Sequence, residues 1–188
     1  LVCSIAGYGF EVYHDKRKDT VMSILLLAMM VPFAATLIPL FKLFTGLGLQ
    51  STWIAYILPT ISTPFLIMLF RQSTRTFPRE IIEAARIDGL SEIKIFAKLY
   101  FPTMKSTYAA AMTVTFMNAW NNYLWPKVIM MSADSQTMPM MVANLSAGYS
   151  IDYGVLMLGV LICSLPTGIL FLILQRSFTN GILGAVKG

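Results

Sequence analysis

Charged side chains are scarce here: 12% of 188 residues, against 56% hydrophobic. A soluble domain carries about 25% charged and roughly 45–50% apolar residues. Half the usual charge, with that apolar excess, excludes a water-soluble globule and a disordered chain. Cysteine is nearly missing. Cys3 and Cys163 each sit in an apolar run, which excludes a disulfide scaffold and leaves two small buried hydrophobes. The single histidine, His14, lies in a charged turn with no cysteine beside it, so it reads as solvated; no metal site and no cofactor is implied. The formal net charge is +5, yet no basic cluster exceeds Lys16, Arg17 and Lys18, so nucleic acid is excluded as a partner.

What is present is a pattern of long charge-free runs around one charged segment. Eleven of the 23 charges fall between Arg71 and Lys105. A helix needs about 20 mainly apolar residues to cross a bilayer. Four runs meet that length: Thr20–Phe41, Leu43–Phe70, Ser106–Pro126 and Tyr153–Gln175. Gly46 and Gly48 mark a turn inside the second, which trims its span to 52–70. The expected spans are therefore 20–41, 52–70, 106–126 and 153–175. Residues 1–10, LVCSIAGYGF, are apolar but too short to cross and lack a basic leader region, so they read as the end of a span that starts earlier. Prolines 32, 39, 59, 64 and 166 lie in or near the runs, where neighbouring helices can satisfy the carbonyls they free. Segments 11–19, 71–105 and 176–188 hold 12 of the 14 Lys and Arg, which places them and the C-terminus in the cytoplasm.

The charged segment, 71–105, carries order beyond what topology requires. A short helix is predicted from about Pro78 to Asp88, with Glu80 and Glu83 favouring its N-terminal half. Gly89 is placed to end it in the left-handed conformation. Ser91 then caps a second helix with apolar Ile93, Phe96, Ala97 and Tyr100, until Pro102 stops or kinks it. Small alanines on such a knob permit close approach to another protein's groove. The plainer alternative is a solvated Glu83–Arg86 pair, worth a few tenths of a kcal/mol.

Glu83-Ala84-Ala85, Asp88-Gly89 and Pro102 resemble the EAA loop of bacterial ABC importer permeases: EAA, three residues, G, nine residues, I-x-L-P. Leu99 and Phe101 replace the Ile and Leu of that pattern with apolar character kept. The likeness continues through the chain. AGYGF, Pro32 with Ile38-Pro39-Leu40-Phe41, Gly46–Leu49, the WNNYLWP stretch from Trp120, Thr137-Met138-Pro139 and the terminal GILGAVKG are similar to features of the carbohydrate-uptake (MalG-like) permeases. The resemblance implies an all-α membrane protein, the type I ABC importer (MetI-like) bundle, lacking its first span and most of its second. It implies a bacterial inner-membrane subunit that is not itself an enzyme. The expected partners are an ABC ATPase dimer, a second permease subunit, an extracytoplasmic sugar-binding protein and the lipid bilayer. By the same resemblance, 71–105 is the cytoplasmic coupling loop, with Glu83, Ala84, Ala85, Asp88, Gly89 and Pro102 as its ATPase-coupling residues. The tail from Gly181 would reach between the ATPase subunits, or else be a frayed terminus.

Asn118, Trp120, Asn121 and Asn122 form the most polar part of their span and are candidates for the substrate path, since amides and aromatic faces suit sugars. Interhelical hydrogen bonding is the competing role. Pro126 and Lys127 place Trp125 at the membrane boundary, as part of an aromatic belt. Methionine, 13 residues, suits either a moving interface or lipid-facing bulk. Three rival readings stand beside the sugar permease. An ABC permease for another solute is separated from it only by family likeness. A membrane enzyme or an ion-coupled carrier would place a carboxylate within a span, and the four runs contain none.

Overall fold

The structure, a computed structural model, describes the backbone of residues 1–148 and 150–186, and the side chains of these up to residue 175 other than Ala133. Every regular element among the described residues is helical. They are α1 (Val2–Val12), α2 (Lys16–Ala28), α3 (Phe33–Gly46), α4 (Trp53–Ile57), α5 (Pro64–Thr74), α6 (Arg79–Ile87), α7 (Glu92–Ile95), α8 (Phe101–Thr103), α9 (Lys105–Trp120), α10 (Leu124–Ile129), α11 (Met138–Leu145) and α12 (Tyr153–Val186). Short 3₁₀ turns cover Leu58–Thr60 and Ala133–Ser135, and a π-turn at Phe96–Tyr100 joins α7 to α8.

The chain forms two compact units. The first comprises residues 1–30, 62–113 and the chain from 174 onward. Its helices α1 and α5 touch along Gly7, where a Cβ would lie 2.6 Å from Phe70 Cβ and 2.7 Å from the Arg71 nitrogen. Only hydrogen fits there. Cys3, Met22, Leu66, Ile67, Leu69, Phe70 and Ala111 make one apolar cluster of this unit. Tyr8, Phe77, Ile82, Ala85, Ile95, Tyr100 and Met104 make a second, under the charged segment.

The second unit comprises residues 31–61 and 114–173. Its core is Phe44, Ala55, Trp125, Ile129 and Met130. Trp125 is 1% exposed, with the Phe44 ring edge-on at 5.8 Å. This corrects the expectation of a boundary belt, and the reason is a proline. Pro59 has no N–H to give the carbonyl four residues earlier; that carbonyl, on Ala55, instead accepts the Trp125 indole N–H at 3.1 Å. Ser51, left-handed at φ 58°, is held against the same region: its N–H donates to the Ile129 carbonyl, and its Oγ accepts from the Met131 N–H.

Prolines also set where the apolar runs divide. Pro32 is the N-cap of α3, and Pro64 opens α5, so the 20–41 and 52–70 runs are each two helices. Pro39 and Pro166 stay inside α3 and α12. Among the described residues, one helical stretch, Tyr153–Gln175, is by itself long and apolar enough to cross a bilayer. The pairs α2 with α3 and α4 with α5 qualify by length and composition only when each pair is taken together.

Candidate functional site

Helix α6 starts at Arg79, with Pro78 as its N-cap, and closes in a turn that only its glycine makes easy. Gly89 has φ +76°. Its N–H donates to the Arg86 carbonyl, and the Leu90 N–H reaches back to Ala85, the paired bonds of a Schellman ending. Leu90 packs against the apolar cluster beneath, as that motif favours. The helix is two-sided. Ile82 and Ala85 are buried in the cluster, whereas Glu83, Ala84 and Ile87 face outward, Ile87 being 86% exposed. Ala85 is thus used for packing within the chain, and Ala84 is the alanine presented outside. Asp88, the C-cap, and Pro102 are both exposed.

Beyond Gly89, the second helix differs in register from expectation. Ile93 is 80% exposed and Ile95 fully buried. Ser91 is the N-cap of α7 without a side-chain capping bond. The Phe101 N–H donates to the Phe96 carbonyl, an i→i+5 turn just before Pro102. The ladder has therefore already left α register where the proline would break it. Tyr100 sits under this turn, fully buried, its Oη 2.7 Å from Thr74 Oγ1, and burial pushes its phenol up to about 12.

The charges of this segment are paired in ways the sequence spacing did not suggest. Arg86 does not pair with Glu83; its Nε donates to Glu92 at 2.7 Å across the Gly89 turn. That hydrogen bond is the main reason the Glu92 carboxyl is held below its ordinary value. Glu11, 8% exposed, receives Arg71 at 3.2 Å, Arg75 at 3.3 Å and Arg79 at 3.7 Å. Arg71 also donates to Asp19 at 2.5 Å, which depresses that carboxyl. Burial pulls the Arg71 guanidinium down, but its bonds to Asp19 and Glu11 more than reverse this and leave it raised. His14 is not simply solvated: its Nε2 lies 2.9 Å from Asp19. Glu11 and its arginines escaped the sequence reading because they are 60 residues or more apart. One signal was there: Arg71, Arg75 and Arg79 recur every four residues across the end of α5 and the start of α6.

The amide stretch is divided by the structure. α9 ends at Trp120, whose indole donates to the Cys163 carbonyl at 2.8 Å, one residue past the carbonyl that Pro166 leaves without a donor. Asn121 donates to the Met117 carbonyl at 2.9 Å, and Asn118 is exposed. A cavity of about 410 Å³ is lined by Asn121 with Tyr123, Pro139, Val160, Cys163 and Ser164. Of the four candidates, Asn121 reaches it; Asn118, Trp120 and Asn122 do not line it. The tail from Gly181 retains helical backbone to Val186, and its side chains and last two residues lie outside the described residues. Among the described residues no group of three His, Cys, Asp or Glu could hold a metal.

The profile of the family described as binding-protein-dependent transport system inner membrane component matches residues 3–183. The lactose transport system permease protein LacG of Rhizobium radiobacter is 48% identical over 187 residues, covering 100% of this chain and 68% of that protein. The arabinooligosaccharides transport system permease protein AraQ of Bacillus subtilis is 37% identical over 186 residues, 98% of this chain and 66% of that one. The sn-glycerol-3-phosphate transport system permease protein UgpE of Escherichia coli K12 is 29% identical, covering 99% and 67%. In the crystal structure of a bacterial ABC transporter involved in the import of the acidic polysaccharide alginate, one chain has the same fold, with a TM-score of 0.77 over 95% of this chain and 70% of that one, at 20% identity. The present chain is a membrane protein belonging to the family of binding-protein-dependent transport system inner membrane components.

Proposed function

We propose that this chain is a permease subunit of an ABC importer that carries a sugar or oligosaccharide into the cell, with α6 seated on a separate ATPase. The observation that carries the reading is the two-sidedness of α6. Its inner face, Ile82 and Ala85, is locked into the chain, and its ending is fixed by Gly89. Its outer face offers Glu83, Ala84 and a nearly bare Ile87. A rigid helix with a small residue, an acid and an apolar tip on one surface suits a shaped cleft on a partner. Movement of that cleft on ATP binding shifts the helix between two positions of different contact energy. ATP chemistry then belongs to the partner, and this subunit is not itself an enzyme.

The basic segments 11–19, 71–105 and 176–188 support a cytoplasmic location for α6 and for the C-terminus, with 42–51 and 127–152 on the outer side toward an extracytoplasmic binding protein. On this reading the spans are the end of one at 1–10, then 20–41, 52–70, 106–126 and 153–175, in a bundle completed by a second permease subunit. Saccharide as the solute class is supported by the likeness to lactose and arabinooligosaccharide permeases. Asn121 at the cavity, with Asn118, Trp120 and Asn122 nearby in sequence, is the candidate substrate path.

The test is uptake. The chain is reconstituted in liposomes with its ATPase, second permease and binding protein, and labelled disaccharides and oligosaccharides are offered with and without internal ATP. Uptake requiring both ATP and the binding protein is expected. Gly89→Pro should insert normally and lose uptake. Uptake driven by a proton or sodium gradient without ATP would identify a carrier instead, and normal uptake by Gly89→Pro would remove α6 from the coupling path.

A further inference from the structure

The last turn of α1 and its C-cap, Tyr13, touch α6 at both ends. At its start, Arg79 Nη2 is 3.7 Å from Glu11 Oε1, while the other oxygen of Glu11 takes Arg71 and Arg75 from α5 and its end. Near its finish, the Arg86 guanidinium lies over the Tyr13 ring, 5.6 Å from the centroid. Lys18 also holds Tyr13, its ammonium 5.4 Å from the same ring and hydrogen-bonded to the Tyr13 carbonyl. Val12, between them, packs on the apolar cluster to which Ile82 and Ala85 belong. Glu11 and Tyr13 therefore touch the first and the last turn of one short helix.

The covalent links to α6 are poor transmitters by comparison. Four residues, 75–78, join it to α5, and a glycine turn joins it to α7. A helix held only by those would let a push at its outer face be absorbed by rotation of the links. Burying a carboxylate is costly unless it is paired, and Glu11 is paired with arginines of both α5 and α6. We infer that Glu11 and Tyr13 are positioning residues that clamp α6 to α1, so that displacement of α6 is delivered to α1 and α5 as one body. The inference rests on α6 being the ATPase contact.

The test uses the complete transporter in liposomes, with solute uptake and ATP hydrolysis measured in the same vesicles. Glu11→Gln keeps the size of the side chain and removes its charge. Loss of coupling between two sites is commonly worth a factor of several to about a hundred; the expected fall in uptake per ATP is about tenfold, with ATPase recovery unchanged and hydrolysis within about twofold. Glu11→Asp should restore uptake per ATP to within about threefold. Tyr13 is 43% exposed, so removing its ring opens no buried void. Tyr13→Ala should lower uptake per ATP about threefold, and Tyr13→Phe, which keeps the ring under Arg86, by less than about twofold. A merely structural role would lower the yield of assembled transporter and leave uptake per ATP unchanged, and that outcome overturns the clamp. If Glu11→Gln fails to assemble, the Tyr13 pair decides: equal uptake per ATP in Tyr13→Ala and the parent protein overturns it. Failure of the permease reading itself would show differently, since the parent protein would then retain no ATPase and take up nothing on ATP.

Discussion

Gly7 and Gly9 lie in the same helix, two residues apart, and should respond oppositely to the same substitution. A Cβ at Gly7 would stand 2.6 Å from Phe70 Cβ, 2.7 Å from the Arg71 nitrogen and 2.9 Å from the Ile67 carbonyl oxygen, where ordinary contact begins at 3.4 Å. Two of these three atoms are backbone, and Ile67, Phe70 and Arg71 are all buried, so α1 and α5 must part. Forcing a methyl into a packed contact costs about 1–3 kcal/mol, and the gain of Ala over Gly within a helix returns about 1. With backbone on the receiving side, the upper part of that range applies, and Gly7→Ala should lose about 1–2 kcal/mol net. A Cβ at Gly9 meets nothing within 4 Å, so Gly9→Ala should gain about 0.5–1 kcal/mol. The difference, about 1.5–3 kcal/mol, corresponds to roughly 3–12 °C between the variants for a chain of this size. Heating the detergent-extracted proteins and measuring the fraction that remains monodisperse by size-exclusion chromatography gives this directly. Gly7→Ala melting at or above Gly9→Ala would refute the close approach of α1 to α5.

Gly89→Ala forces a side chain into the left-handed region and should cost about 1–2 kcal/mol, with Gly89→Asn losing less; faster amide exchange in α6 for Ala than for Asn is the readout. Trp125→Phe keeps most of the packing but leaves the buried Ala55 carbonyl without its donor, so a loss of about 1–3 kcal/mol in thermal stability is expected. The Glu92–Arg86 bond should be acid-sensitive. Arg86 holds the Glu92 carboxyl below its ordinary 4.5, so the stabilisation is complete above that value and disappears as pH falls through the depressed one. Protection of α6 amides should drop in that acid window, whereas Glu92→Gln should show the reduced protection already at pH 7 and little further change.

The all-helical character was legible because its signals are local. Long apolar runs announce helices in a membrane protein, and Gly89 announces a left-handed helix end because a Cβ is disfavoured there. Proline positions were equally visible, but their effects were not. Pro39 and Pro166 remain inside helices, whereas Pro32 and Pro64 open new ones, and the difference depends on what can satisfy the freed carbonyls. For Ala55 that donor is Trp125, 70 residues away, so nothing near Pro59 announced it. The outer residues of α6 were readable as a motif, yet which alanine faces outward depends on where the second apolar cluster lies. Ala85 turned inward because Ile82, three residues earlier, shares its face. Glu11 was hidden for the same reason as Trp125: its partners come from α5 and α6, and a lone acid at the edge of an apolar run looks like a boundary residue until they are brought to it.

The most direct test of α6 as the docking helix is recovery of partners from native membrane. The tagged chain is extracted gently, and the co-purifying proteins are identified for the parent protein and for Glu83→Lys. The expected result is an ATPase and a second permease with the parent protein, and selective loss of the ATPase when the outward acid becomes a base. An ATPase that stays bound to Glu83→Lys in the parent amount, or a parent protein that comes out of intact membranes alone, would contradict it.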